Sequence, residues 1–418
     1  MKSSDWAHTR GEIEDGFSEL VELTQALVRI PTVNPPGDEY RSCAEFIERR
    51  LRAWDFEVSL VEAPGGQHPR PNAVGVRDLG GGGPVVHLNG HFDVVPPGEG
   101  WTVDPFGAEI REGRIYGRGT CDMKAGLACA MFAAEAVRRS GAVLSGRIEV
   151  SGTVDEESGG FAGVGYLVDS GLISGDSVDY AIIPEPFSPD RICVGHRGVY
   201  WSKVRALGRT AHGCMPHLGR SAISDLAALL IELESGLVPS LGGQRTAMPV
   251  VPEACRFGSL NVNGVSGGQA VGGVQTPCVA DVAEAVFDRR FLVEESVDEV
   301  RREIPEVLAK LKEQDPERAF EVEELMLVPP VQAPLDSPLL LALDKAIQEA
   351  VGRPAEHVAS PGTYDQKHFA RGGVDHCVAY GPGRLEVAHQ PDEWVALEDM
   401  KAATSVMAFT LLELLTDG

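Results

Sequence analysis

Positive charge is scarce in this chain: 37 Lys and Arg stand against 62 Asp and Glu, a formal net charge of -25 over 418 residues. Such a surface repels phosphate backbones and anionic headgroups, which excludes nucleic acid and membrane surfaces as partners. Long apolar runs are also missing. The longest, around Leu127 to Val137, is too short to span a bilayer. Met1 to Asp15 is polar and acidic and lacks the basic-then-apolar order of a secretory signal. The eight cysteines are scattered, with no C-x-x-C pair, so free thiols in a reducing cytoplasm are expected. No lysine follows a glycine, which excludes a standard P-loop, and there is no H-E-x-x-H.

What remains is an ordinary globular composition, 43% hydrophobic and 24% charged. The length exceeds one ordinary core and implies two domains. Helical periodicity predicts helices over Glu12–Arg29, Arg41–Trp54 and Met123–Arg139. Strands are predicted over Phe56–Val61, Pro84–Leu88, Arg147–Thr153 and Tyr180–Ile183. This alternation implies an α/β domain with a mainly parallel sheet. After Gly198 the order becomes strand (Val199–Leu207), helix (Gly219–Leu233), two strands (Arg256–Val262, Val279–Arg290), helix (Ser296–Leu311) and strand (Phe320–Leu327). That order predicts a compact α+β unit with an antiparallel sheet. Helices over Ser337–Val351 and Leu397–Leu415 return to the first domain. The expectation is a discontinuous domain, 1–197 and 329–418, with residues 198–328 inserted.

Chemistry-bearing residues gather where strands end, which is where such sheets place their sites. His91 and Asp93 are two apart, so both side chains can turn to one side. Asp93 either orients the imidazole or ligates directly. Asp122, just before a helix, is an N-cap or a carboxylate shared by two cations. Glu156 and Glu157 follow a strand and diverge, so one can ligate while the other faces an attacking water. The bland alternative is a solvated acidic loop. Glu185 is pinned between Pro184 and Pro186, and His389 and His212 are loop imidazoles. Together, His91, Asp122, Glu157, Glu185 and His389 offer the imidazole and carboxylate donors that a pair of divalent cations needs. Cys121 reads as a small neighbour of a ligand, not as a ligand itself. Gly264-Val265-Ser266-Gly267-Gly268 matches G-x-S-x-G but has no following helix, so a flexible loop is expected instead of a nucleophile elbow.

The runs Gly90-His91-Phe92-Asp93-Val94-Val95-Pro96 and Gly117-Arg118-Gly119-Thr120-Cys121-Asp122-Met123-Lys124-Ala125-Gly126, the Asp155-Glu156-Glu157 turn and Ala388-His389 resemble the M20 metallopeptidase family. That family includes acetylornithine deacetylase, succinyl-diaminopimelate desuccinylase, aminoacylase and carboxypeptidase G. The resemblance implies a zinc-peptidase-like catalytic domain with an inserted lid and dimerisation domain, and a homodimer. It implies one metal held by His91, Asp122 and Glu185 and another by Asp122, Glu157 and His389. Glu156 would be the general base, Asp93 the partner of His91, and the Asp122–Met123 peptide cis. His212 would reach the partner subunit's site. Asn261 and Arg289 fall on lid strands where relatives contact a substrate carboxylate; Tyr364, Lys367 and His368 lie where this chain departs from the family, and either shape an atypical pocket or simply pack.

The expected activity is hydrolysis of an amide bond in a small N-acyl amino acid. Zinc is the expected metal, with manganese or cobalt as substitutes. A dipeptidase or carboxypeptidase, cleavage of another C–N bond such as a ring amine, or a silent binding relative are the alternatives. One departure stands out. Relatives carry an arginine soon after Gly-Thr-x-Asp, whereas Gly362-Thr363-Tyr364-Asp365 is followed here by Gln366-Lys367, which argues against a standard acetylornithine or succinyl-diaminopimelate substrate.

Overall fold

In the first of two compact units, four parallel strands run through the middle of a twisted sheet. They are β1 (Val85–His91), β2 (Gly146–Thr153), β3 (Tyr180–Ile183) and β4 (Cys377–Ala379), in the spatial order β2-β1-β3-β4. The computed structural model describes residues 3–66, 68–268, 270–271, 274–275 and 277–416. β1 and β2 are buried almost throughout, as strands covered on both faces must be. Antiparallel strands flank them: Pro71–Gly80 and then Glu57–Glu62 beyond β2, and Arg191–His196 beside β4. This is the expected α/β class, with the parallel pairing confined to the centre.

The unit comprises Met1–Gly195, Ala333–Val358 and Tyr364–Gly418. Its core is dominated by the helix Lys124–Arg139, whose Ala-rich sequence lets it pack with nearly every residue from Lys124 to Val137 buried. Gly126 is essential to that approach, since a Cβ there would lie 2.0 Å from the Pro184 carbonyl oxygen. The helix start is thereby pressed against the segment that carries Glu185. Because β1, β2 and β3 are parallel, their C-terminal ends lie at one edge, where His91, the Glu156–Glu157 turn and Glu185 emerge.

The helix expected over Glu12–Arg29 is two helices, Ser3–Asp15 and Phe17–Val28. They break at Gly16, where a Cβ would strike the Phe132 ring at 2.4 Å. The strands Pro71–Gly80 and Arg191–His196 were not foreseen: prolines and glycines interrupt the first, and both lie among loop-like residues.

The second unit, His196–Gln332 with Ala359–Thr363, holds a four-stranded antiparallel sheet. Its order is Ser259–Gly267, Val282–Phe291, Gly198–Leu207, Ala319–Val328. Val282–Phe291 alternates half-buried and buried residues along its length, the pattern of a sheet packed on one face. Leu226 and Leu229 of the helix Ala222–Glu232, and Ile304 and Leu308 of Val297–Gln314, cover that face with Val204, Ala285 and Phe287. The Gly264–Gly267 stretch, expected as a loop, lies in an edge strand, and Ser266 is exposed on it. No helix among the described residues is long and apolar enough to cross a membrane.

Candidate metal centre

Asp122 stands at the centre of the convergence. One carboxylate oxygen, Oδ1, is 3.1 Å from His91 Nε2, and the other, Oδ2, is 3.3 Å from His389 Nε2. Each imidazole has a second carboxylate of its own: Glu185 Oε1 lies 3.9 Å from His91 Nε2, and Glu157 Oε1 lies 3.1 Å from His389 Nε2. Donor atoms of His91, Asp122 and Glu157 all fall within 4.8 Å of one another. Asp122 is not a helix cap. Met123 occupies that position without a side-chain bond, and the Asp122–Met123 peptide is cis.

His91 is fixed from behind. Its Nδ1 lies 2.9 Å from the Asp93 carbonyl oxygen and 3.5 Å from the Asp93 carboxylate, which turns Nε2 toward Asp122 and Glu185. The Asp93 carboxylate also accepts the Glu156 N–H at 3.1 Å, the Glu157 N–H at 3.2 Å and the Asn34 amide at 2.8 Å. One buried aspartate therefore ties the end of β1 to the acidic turn after β2. Adjacent residues on that turn diverge as anticipated: Glu157 meets His389, while Glu156 Oε1 lies 3.6 Å from Lys367 Nζ.

The electrostatics are those of a site crowded with acids. Burial pushes the Glu157 carboxyl up to about 7, against the hydrogen bond from His389, and the nearby Asp122 charge adds to the rise. Burial likewise lifts Glu185 well above the carboxylate range, again with Asp122 adding. Hydrogen bonds to Asp122 and Glu157 push the His389 imidazole up to about 10. Burial opposes a charge on His91, yet its bonds to Asp122 and Asp93 outweigh that and raise it well above the ordinary value. Oxygen and nitrogen donors, two on each side of a shared carboxylate, fit hard to borderline divalent ions.

Other expected site residues fall elsewhere. Tyr364 is buried, and its hydroxyl donates to Gln366 Oε1 at 2.8 Å. Cys121 is buried and donates to the Arg384 carbonyl at 3.2 Å, so its thiol is engaged away from the ligand atoms. His212, Asn261 and Arg289 belong to the second unit. There His212 is exposed and accepts the Cys214 N–H at 3.2 Å, and Asn261 donates to Asn263 at 2.6 Å. Arg289 is buried and forks onto Glu303 at 2.8 and 2.7 Å, with Glu295 also bonded to it. Sequence reasoning missed Arg118 and Glu393, a buried ion pair at 2.5 Å directly behind Asp122. The Glu393 in Gln390-Pro391-Asp392-Glu393 was the available signal.

The profile of Peptidase family M20/M25/M40 matches residues 87–413. A succinyl-diaminopimelate desuccinylase of Methylobacterium radiotolerans is 31% identical over 402 residues, covering 92% of this chain and 94% of that protein. One from Xanthomonas euvesicatoria pv. vesicatoria is 29% identical, covering 95% and 99%. Among solved structures, human carnosine dipeptidase 1 superposes with a TM-score of 0.76 at 21% identity, covering 98% of each chain. The di-peptidase Dug1p from Saccharomyces cerevisiae gives 0.75 at 18% identity, covering 99% of each. At those identities the structures speak for the fold alone.

Proposed function

The chain belongs to Peptidase family M20/M25/M40 and is a metal-dependent amidohydrolase, and we propose that it hydrolyses the amide bond of a small N-acyl amino acid at a centre of two divalent cations. The observation that carries this reading is Asp122, whose two oxygens address two imidazoles that each have a further carboxylate. His91, Asp122 and Glu185 would hold one cation, and Asp122, Glu157 and His389 the other. Zinc suits this donor set best, with manganese or cobalt as substitutes.

When bound, such a pair acidifies a water and polarises the scissile carbonyl. The chain's own part is proton handling and placement. Glu156, diverging from the ligand Glu157, takes the proton of the attacking water and passes it to the departing nitrogen. Asp93 orients His91 and, through two amide bonds, fixes the turn that carries Glu156. Lys367, the cation beside that base, suits a substrate bearing a carboxylate, and so does the desuccinylase name of the relatives. Arg289 has its donors committed to Glu303 and Glu295, which fits a structural role better than a carboxylate clamp. Asn261 and Tyr364 are assigned to the substrate side.

We assign the metal centre to a domain of residues 1–197 and 329–418, with 198–328 as the lid and dimerisation domain. A homodimer through that insert, with His212 serving the partner subunit's site, is supported by exposed Leu218, Ile223, Ile231 and Val265. A cytoplasmic location is supported by eight free cysteines, of which Cys214 and Cys278 are exposed. The test is a panel of N-acyl amino acids, including N-succinyl diamino acids, assayed with the zinc-loaded protein. Release of free amine from at least one member is expected; a zinc-loaded protein inert across the panel contradicts the activity.

A further inference from the structure

Two of the proposed ligands stand on loops that leave one end of a short antiparallel strand pair, Arg114–Tyr116 with Trp394–Ala396. Asp122 ends the Gly117–Asp122 run before one long helix, and His389 begins the run that leads to the strand Trp394–Ala396. The structure links them by a buried ion pair. Arg118 is 2% exposed and Glu393 is fully buried. The Glu393 carboxylate accepts the Arg118 guanidinium through Oε2 at 2.5 Å, and through Oε1 it accepts the backbone N–H groups of Cys121 at 2.8 Å and Asp122 at 3.1 Å. The two terminal nitrogens of Arg118 also donate to main-chain carbonyls: Pro97 at 3.1 Å, Gln390 at 3.3 Å and His389 at 3.3 Å. The Gly117 N–H closes the arrangement on the Glu393 carbonyl at 2.9 Å.

A pair this deeply buried is a poor source of stability. Desolvating both charges costs about what their attraction returns, and well-packed apolar side chains would often do as well. What an apolar pair could not do is hold five backbone groups at fixed positions. The two charges divide that work. Glu393 grips the main chain of Asp122, the residue shared by both imidazoles, and Arg118 grips the main chain of His389, which belongs to one side only.

We propose that Arg118 and Glu393 are positioning residues that build the metal centre before any cation arrives, Glu393 setting both cation sites through Asp122 and Arg118 setting only the His389 site. This rests on the two-cation reading above. It extends that reading by assigning the separate behaviour of the two sites to two residues that touch neither cation.

The experiment compares full-length wild type, Arg118→Lys and Glu393→Gln after removal of metal with a chelator. Each is titrated with Zn2+ by calorimetry and with Co2+ by visible absorption, and thermal melting of the metal-free proteins monitors the fold. Lysine keeps the charge for Glu393 but has one nitrogen where arginine has a fork, so it cannot also hold His389. Arg118→Lys is expected to weaken one cation by about tenfold or more and leave the other within about threefold, as supporting partners of ligands do. Glu393→Gln is expected to weaken both. Arg118→Lys alone decides the matter if Glu393→Gln melts below the working temperature. Unchanged binding in a folded Arg118→Lys, or equal weakening of both cations by it, overturns the proposal. A wild type that takes up fewer than two cations overturns the two-cation reading and this inference with it, a result distinct from the other two.

Discussion

Lys367 holds its ammonium 3.6 Å from the Glu156 carboxylate, and the two side chains are only 8% and 12% exposed. The segment around Lys367 also grips the base-bearing turn elsewhere: the His368 imidazole donates to the Gly159 carbonyl at 2.8 Å. Replacing Lys367 with alanine removes the cation suited to a substrate carboxylate. The expected result is a rise in KM of about tenfold, near 1.4 kcal/mol, for anionic N-acyl substrates, with a smaller change for neutral ones. Steady-state kinetics on a matched anionic and neutral pair measures this; equal effects on both would remove Lys367 from substrate recognition.

Glu156→Gln keeps the shape of the base and removes its ability to accept a proton. Turnover should fall by about 100-fold or more, while metal content stays at the wild-type level. Elemental analysis alongside kinetics checks both halves. Activity near wild type at intact metal content would transfer the base role elsewhere.

Metal uptake should release protons. Without a cation, His389 sits at about 10 and is protonated at pH 7.5, and the bonds of His91 to Asp122 and Asp93 push that imidazole the same way. Ligation needs them neutral, and the carboxyl of Glu157, pushed up to about 7, is partly protonated as well. Zn2+ binding at pH 7.5 should therefore expel protons, with Glu185, also raised by burial, contributing, and apparent affinity should climb as pH rises toward 10. In the metal-free protein the sign is opposite for stability: the His389 contact with its carboxylates is fully present below 6.5 and is lost as pH rises through about 10. Calorimetry in buffers of different ionisation enthalpy counts the protons. A binding enthalpy independent of buffer would contradict this protonation pattern.

Away from the site, Glu135 is buried within the long helix and bonded to Arg138 at 2.8 and 2.7 Å and to Arg139 at 2.8 Å. Burial alone would raise its pKa, but those bonds outweigh it and hold the carboxyl below 4.5. Its contribution is then present above 4.5 and lost as pH falls through the depressed value. Glu135→Gln should cost roughly 2 kcal/mol at pH 7: buried Arg77, 3.4 Å away, loses its partner charge, whereas Arg138 and Arg139 reach solvent and lose less. The difference should shrink in melts recorded below pH 4. A gap that stays constant with pH would assign the effect to packing.

Three of the residues that converge were legible in the sequence because each sits at or just beyond a strand end, and parallel strands bring such ends to one edge. His91 at the end of β1, Glu157 after β2 and Glu185 after β3 follow that logic directly. Their supports were not legible. Arg118 and Glu393 are 275 residues apart, and Lys367 and Glu156 meet only through the packing of a short helix, so no periodicity or spacing announces either pair. The break at Gly16 was hidden for a related reason: it depends on the ring of Phe132, a contact distant in sequence. Pro71–Gly80 escaped notice because Pro71, Gly75 and Gly80 are poor strand formers, and pairing with Glu57–Glu62 and β2 overrides that preference.

The central claim is best tested by crystals of the zinc-loaded protein, with anomalous scattering recorded at the zinc edge. Two peaks are predicted, one contacted by His91 and Glu185, the other by Glu157 and His389, with Asp122 contributing one oxygen to each. A single peak, or two peaks that do not share Asp122, would contradict the account.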